Sequence, residues 1–221
     1  MVKPSDQSPQ ASADPPSAPD GTEQRILEAA DAVFTRRGTD GARMQEIADE
    51  AGVNKALLHY YYRSKAQLAE AVFRHAAKKL LGGVVEVMAS DLELEAKVEQ
   101  VVGRYIDQLS RRPYLPGYLI SEVTHHPDRL PRLFAAIAGD ALKTRVLTKL
   151  EEQIDERVRA GTLTPITAEQ FLINLVSLCV FPFAARPLVT VVLGLDEAGF
   201  ARFIEERRVE LPGFLMRALR P

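Results

Sequence analysis

Residues 44–68, "MQEIADEAGVNKALLHYYYRSKAQL", carry the most informative pattern in the sequence. Ala48 is small, Gly52 follows four residues later, and Leu58 stands six residues after the glycine. The small residue lets a second helix cross closely, the glycine tolerates the left-handed conformation of a tight turn, and the leucine can be buried against the first helix. These offsets predict two short helices, residues 44–51 and 54–60, joined as a helix-turn-helix.

The second predicted helix has two different sides. Leu58 and Tyr62 are four residues apart, so both should face the core. The opposite side should face solvent and comprises Lys55, Ala56, His59 and Tyr60. The small side chain of Ala56 keeps this side of the helix narrow. The Tyr60 hydroxyl, the His59 imidazole and the Lys55 ammonium can reach phosphate oxygens or base edges. A surface of this kind fits a DNA major groove, which is about 12 Å wide.

These residues, with the preceding "TEQRILEAADAVFTRRGTDGARM" (residues 22–44), resemble the DNA-binding module of the TetR (tetracycline-repressor-like) family of bacterial regulators. By position, the resemblance implies that the residues nearest the base edges are Lys55, Ala56, His59 and Tyr60. The phosphate contacts that it implies are Arg43, Asn54, Tyr61 and Lys65. Tyr62 occupies a position usually held by phenylalanine. Leu57 replaces a small polar residue and His59 a tyrosine, and both differences bear on the operator sequence.

Composition limits the other possibilities. The net charge of the 221 residues is -2, so binding to DNA must depend on a local basic patch. Between residues 51 and 79 the single acid Glu70 is outnumbered by Lys55, Arg63, Lys65, Arg74, Lys78 and Lys79. The single cysteine excludes an internal disulfide, and the most apolar run, residues 171–185, is shorter than the roughly 20 residues of a membrane span. We therefore expect a soluble cytoplasmic protein.

The whole chain reads as all-α. We expect a disordered tail (1–21), a helix-turn-helix DNA-binding domain (22–66) and a helical ligand-binding and dimerisation domain (67–221). The first helix should begin at Thr22 and end at Gly38, and the fourth should be capped by Ser64 and fade near Gly82 and Gly83. The later helices are predicted at 92–110, 118–125, 130–160, 168–185 and 197–219. Residues 189–193 are β-branched and ambiguous.

One helix-turn-helix binds DNA weakly, so the chain needs a partner on a two-fold axis. The resemblance likewise implies a homodimer formed through the last two long helices. The apolar residues expected to form that interface are Leu172, Leu175, Val176, Cys179, Phe183, Phe203 and Ile204. Polar or aromatic residues among apolar neighbours suggest a pocket for an apolar or amphipathic effector, lined by Tyr105, Tyr118, Glu122, His126, Phe134 and Phe181.

The expected function is a DNA-binding transcriptional regulator, a ligand-responsive repressor that binds a palindromic operator and needs no cofactor. Alternatives remain open at this point. "EVTHHPD" places Glu122, His125, His126 and Asp128 together, which suggests a regulatory metal site. A second Glu-x-x-His is missing, which disfavours a di-metal helical-bundle enzyme. A redox sensor at Cys179 lacks a nearby base, and a DNA-binding protein without an effector is the last alternative.

Overall fold

The computed structural model describes residues 19–125, 135 and 140–221. These residues form an all-helical protein, as predicted. The helices within them are α1 (Pro19–Gly41), α2 (Met44–Ala51), α3 (Lys55–Tyr61), α4 (Lys65–Met88), α5 (Leu94–Arg111), α6 (Leu115–His125), α7 (Asp140–Arg159), α8 (Ala168–Ala184), α9 (Arg186–Leu193) and α10 (Glu197–Ala218). Residues 1–18 of the predicted tail and most of 130–139 lie outside the described residues.

The first three helices and the start of α4 share one apolar core, here called the N-terminal core. Its fully buried side chains include Ile26, Ala30, Val33, Phe34, Ile47, Ala48, Leu58 and Leu68. The members from α1 follow the helical spacing seen in the sequence, so that one side of α1 covers both α2 and α4. This packing fixes where α2 and α3 cross.

Helix α1 differs from the prediction at its start. It begins at Pro19 rather than Thr22, because proline suits the first turn of a helix, where an N–H would have no partner. Thr22 is therefore within the helix and is not its cap. At the other end Gly38 has φ 69° and ψ 167°, which interrupts the helix where the sequence predicted its end.

Helix α4 is longer than predicted. The Ser64 hydroxyl accepts a hydrogen bond from the Gln67 amide at 3.2 Å, which confirms the predicted cap. The helix nevertheless continues through Gly82 and Gly83 to Met88, because tertiary packing outweighs the low helix propensity of glycine. A Cβ on Gly83 would lie 2.5 Å from the Arg104 guanidinium, so the glycine permits close contact with α5.

The second half of α4 packs with α5, α7, α8 and α10 around a separate set of buried side chains, here called the C-terminal core. Its fully buried members include Met88, Leu94, Val98, Val101, Val102, Leu150, Phe171 and Leu175. Because α4 also contributes Leu68, Ala69 and Val72 to the N-terminal core, it connects both cores as a single rod. The predicted domain boundary after residue 66 lies within this shared helix and stays a prediction.

One charged side chain is fully buried in the C-terminal core. The ammonium of Lys97 donates to the Met88 carbonyl at 3.0 Å and to Gln153 Oε1 at 2.7 Å. The Met88 carbonyl lies at the C-terminal end of α4, where a positive charge is favourable. Burial lowers the pKa of Lys97. The lysine thus ties α4, α5 and α7 together.

A polar contact joins the two cores where α5 turns into α6. Arg112 Nε donates to Asp31 Oδ2 of α1 at 2.7 Å, and the Tyr114 hydroxyl donates to the other carboxylate oxygen. Burial and the carboxylate raise the pKa of Tyr114. The Tyr114 ring packs edge-on against Phe34 with centroids 6.1 Å apart. The orientation of α1 is thereby tied to the α5–α6 corner.

The ambiguous residues 189–193 are helical and belong to α9. Among the described residues no single helix is long and apolar enough to cross a bilayer; α8 and α9 reach that length only as a pair, bent by 76°.

Candidate nucleic-acid interface

The turn between α2 and α3 is built as the sequence predicted. Gly52 ends α2 with φ 64° and ψ 35°, and its amide donates to the Asp49 carbonyl at 3.2 Å. The next amide, of Val53, donates to the Ala48 carbonyl at 3.0 Å. This left-handed turn reverses the chain with its backbone groups bonded. Helix α3 can then cross directly over Ala48, and Leu58 is fully buried there.

Local hydrogen bonds define both ends of α3. The Asn54 side chain accepts a bond from the Leu57 amide at 2.7 Å and so caps the first turn. At the other end Tyr62 is buried, and its hydroxyl donates to Glu23 of α1 at 2.8 Å. Burial and the neighbouring carboxylate raise the pKa of Tyr62. The predicted core position of Tyr62 is confirmed, and it anchors the end of α3 to α1.

The side of α3 that faces away from the N-terminal core is exposed. It carries the predicted set Lys55, Ala56, His59 and Tyr60. Tyr60 is 81% exposed. Its ring meets that of Tyr61 edge-on, with centroids 5.6 Å apart and the planes at 89°, while Tyr61 is half-buried against the N-terminal core. The Tyr61 ring therefore supports the Tyr60 ring from the side of the N-terminal core.

The residues expected at phosphates occupy different environments. Arg43 is exposed in extended backbone just before α2. Asn54 uses its carboxamide oxygen as the helix cap, which leaves its N–H groups to donate elsewhere. Lys65 was expected to point to phosphate, yet its ammonium donates to the carbonyls of Asp40 at 2.8 Å and Ala42 at 3.2 Å. Two of its three hydrogens thus hold the end of α1 against the start of α4.

The side chains of three of the six residues predicted to line the effector pocket are described, and they lie in different environments. Tyr105 is buried in the C-terminal core, where burial raises its pKa. The Tyr118 ring stacks on Phe73, with centroids 4.8 Å apart, and packs against both cores. Phe181 was expected to line the same pocket, but it is 57% exposed on the outer side of α8. The Glu122 side chain, His126 and Phe134 lie outside what the structure describes.

The predicted dimer residues divide into two groups. Leu175, Cys179, Phe183 and Ile204 are buried in the C-terminal core of the same chain, so they offer no surface to a partner, and assigning them to the interface was wrong. The sequence could not separate the two sides of these helices because apolar residues occur all round them. Leu172, Val176 and Phe203 are half-buried at its edge. Burial also raises the pKa of the Cys179 thiol to about 12, which argues against a redox sensor.

Two features were missed from the sequence. The contact of Asp31 with Arg112 and Tyr114 joins residues more than 80 positions apart and has no local signal. Helix α9 did have one, since Pro187 stands in its first turn and Gly194 follows its end with φ 64°. As for the metal alternative, the described part of the chain contains no group of three or more His, Cys, Asp or Glu side chains that could hold an ion.

Known proteins, including HTH-type regulators, are similar to this chain in sequence. Residues 26–72 match the profile of the bacterial regulatory proteins, tetR family. The HTH-type transcriptional repressor SCO4008 of Streptomyces coelicolor is 33% identical over 115 residues, which span 50% of this chain and 58% of that repressor. The probable HTH-type transcriptional regulator YttP of Bacillus subtilis is 25% identical over 178 residues, 78% of this chain and 82% of its own.

Solved structures show the same fold. A transcriptional regulator of the TetR/AcrR family from Thermobifida fusca superimposes with a TM-score of 0.61 at 14% identity, covering 91% of this chain and all of that one. A TetR-family regulator from Mesorhizobium loti gives 0.59 at 20% identity, covering 90% and 96%. Residues 26–72 therefore carry a DNA-binding helix-turn-helix of the tetR family type, and the described chain has the fold of TetR-family proteins.

Proposed function

We propose that this chain is a DNA-binding transcriptional regulator: a cytoplasmic homodimer that binds a palindromic operator, represses transcription and is released by a small molecule. The observation that carries the proposal is the exposed side of α3, where Lys55, His59 and Tyr60 project while Leu58 and Tyr62 are buried behind them. Rigid rings on a supported helix lose little entropy on binding. The division of the chain at residues 22, 66 and 67 belongs to the same proposal.

On DNA, α3 lies in the major groove. Lys55, Ala56, His59 and Tyr60 read base edges, because they form its outermost surface. The residues that hold the flanking phosphates are Arg43, Asn54, Tyr61 and Lys65. For Lys65 only one ammonium hydrogen is left for this role, and for Asn54 only the N–H groups.

Two modules on a two-fold axis read two half-sites about 34 Å apart or a multiple of that distance. The partner surface is formed by the outer sides of the last helices, where Ile173, Phe181 and Phe214 are each more than half exposed. The half-buried Leu172, Val176 and Phe203 lie at the inner edge of this surface. Repression is favoured because the similar Streptomyces protein is named a repressor.

Release requires an effector that binds better to a conformer whose two α3 helices are wrongly spaced for DNA. The connections that would transmit such a change are α4, which joins both cores, and the contact of Asp31 with Arg112 and Tyr114. Tyr118 packs against both cores and lies on this route. A coupling of about 1–3 kcal/mol between effector and operator is typical of such regulators.

The test is a binding selection from random duplex DNA at near-physiological salt, run with the wild type and with Tyr60→Ala. The wild type should enrich a palindrome, and the variant should enrich it weakly or not at all. Adding candidate effectors to the selected operator complex then tests release. A folded, dimeric wild type that enriches no sequence would contradict the proposal.

A further inference from the structure

Helix α9 is a short apolar helix that the described part of the chain leaves uncovered. None of its eight residues is buried within the described structure. Leu188, Val191, Val192 and Leu193 are between 51% and 80% exposed. Isolated helices shorter than about 12 residues are marginal in water, and most helices gain their stability by burying an apolar side. Residues 19–125, 135 and 140–221 therefore provide no covering surface for helix α9.

Beside α9 runs an apolar groove of about 560 Å³. Its walls come from α8, α9 and α10, and include Phe181, Pro182, Leu188, Val192 and Phe203. The one charged residue in it, Arg207, is already engaged: its guanidinium donates to the Leu178 carbonyl at 2.8 Å and lies 5.7 Å from the centre of the Phe203 ring. The groove therefore presents an apolar surface, and the Arg207 guanidinium in it already has partners.

The same patch also presents a ridge. Val191 is 80% exposed and does not line the groove, so it projects beside it. A surface that carries both a groove and a ridge can pair with a second copy of itself about a two-fold axis, each ridge entering the other's groove. A single self-complementary patch of this kind is what an isologous dimer requires.

The charges around α9 favour a second copy over DNA or an anionic membrane. The only charge within the helix, Arg186, pairs with Glu197 at 3.1 Å and lies 4.7 Å from the centre of the Phe200 ring. No basic side chain of α9 itself is left to attract phosphates. Depletion of charge at the centre of a patch is typical of protein interfaces.

The size of the patch agrees with this. Ile173 and Phe181 of α8 and Phe214 of α10 are each more than half exposed and, by their helix positions, extend the surface of α9. The seven apolar side chains together offer on the order of 800 Å², which is about what one partner contributes to a standard interface.

We infer that α9 is a dimerisation arm, whose Val191 ridge enters the partner's groove between α8, α9 and α10. The inference rests on the proposed homodimer and identifies the element that holds it together. Helices α8 and α10 bury much of their apolar area in the core of their own chain. Helix α9 therefore supplies the centre of the surface that the two protomers share.

Val191→Asp tests the arm, because this side chain has almost no contacts to lose within the protomer. The matched control is Val209→Asp: it is 78% exposed and lies roughly 120–140° around α10 from Phe203 and Phe214. Molar mass is measured by sedimentation across a concentration series, with circular dichroism as the check on folding. The dimer dissociation constant should rise at least 100-fold for Val191→Asp and less than threefold for Val209→Asp.

The outcomes separate the arm from the rest of the proposed function. If the wild type and Val191→Asp dimerise equally, the arm is wrong while the dimeric regulator stands. Equal dissociation of both variants would also overturn it, since added charge anywhere would then suffice. A wild type that is monomeric at every concentration overturns arm and dimer together. Binding of the wild type, but not Val191→Asp, to phosphatidylcholine vesicles would instead assign α9 to a membrane.

Discussion

Helices α3 and α9 are alike in length and opposite in chemistry. Each has seven or eight residues, and each leaves most of its surface exposed. Helix α3 exposes hydroxyl, imidazole and ammonium groups and is anchored from behind by Leu58 and Tyr62. Helix α9 exposes aliphatic side chains and has no buried anchor. The first surface can donate to the phosphates of DNA, whereas the second has no charged group for them and would gain by being covered with apolar surface.

Helices α3 and α9 also differ in how they are held in place. Helix α3 is secured by its own chain through a side-chain cap, a buried leucine and the Tyr62–Glu23 hydrogen bond, so it is ordered before DNA arrives. Such preorganisation lowers the entropy lost on binding. Helix α9 has a proline start and a glycine end but no side-chain cap bond. Its stability should therefore depend on the partner.

The largest expected effect is on the free energy of unfolding. It distinguishes helix α3, which has a buried anchor, from helix α9, which has none. Leu58→Ala should lower the free energy of unfolding by about 2–5 kcal/mol, because it removes a fully buried side chain and leaves a cavity. Leu188→Ala, on α9, is the matched change at an exposed position. Denaturant unfolding at several protein concentrations measures both. The cost of Leu58→Ala should not vary with concentration, whereas that of Leu188→Ala should appear only through the dimer.

The opposite pattern of stability costs would contradict this difference between α3 and α9. If Leu188→Ala costs as much as Leu58→Ala at concentrations where the protein is monomeric, then α9 is anchored within its own protomer.

The next effect is on DNA. Tyr60→Ala and Lys55→Ala should each weaken binding to the selected operator by about 1–3 kcal/mol, or roughly 5- to 150-fold, because each removes a base contact of α3. Titration by fluorescence anisotropy measures the affinity. Arg159→Ala is the matched control, since Arg159 is an exposed basic residue at the end of α7, outside the basic patch of residues 51–79.

Neither substitution should change the dimer dissociation constant, whereas Val191→Asp should. Unchanged operator affinity in both folded variants would show that α3 is not the reading helix.

The smallest effect sharpens the role of Lys65. Its ammonium holds the Asp40 and Ala42 carbonyls and has one further hydrogen. Lys65→Ala should weaken binding to all sequences alike and lower the slope of log K against log salt by about 0.9 per module, the value for one phosphate contact. An unchanged slope with reduced thermal stability would assign Lys65 to the α1–α4 junction alone. A loss confined to the operator would contradict both roles.

The helix-turn-helix could be predicted from local sequence alone. The offsets between Ala48, Gly52 and Leu58 are local, and each residue meets a steric need that its immediate neighbours impose: a close crossing, a left-handed turn and a buried anchor. For the same reason the bounds of α2, the cap at Ser64 and the exposed side of α3 could be predicted.

The remaining features depend on contacts between residues that are far apart in the sequence. Gly82 and Gly83 read as a helix end, yet packing against α5 carries α4 past them. Cys179 and Ile173 lie on one apolar helix, and nothing local shows that the first faces the core and the second faces outward. Lys65 appeared free to bind phosphate until the end of α1 was folded against it. In each case distant residues decide, because burial depends on which surfaces the chain brings together and not on local spacing.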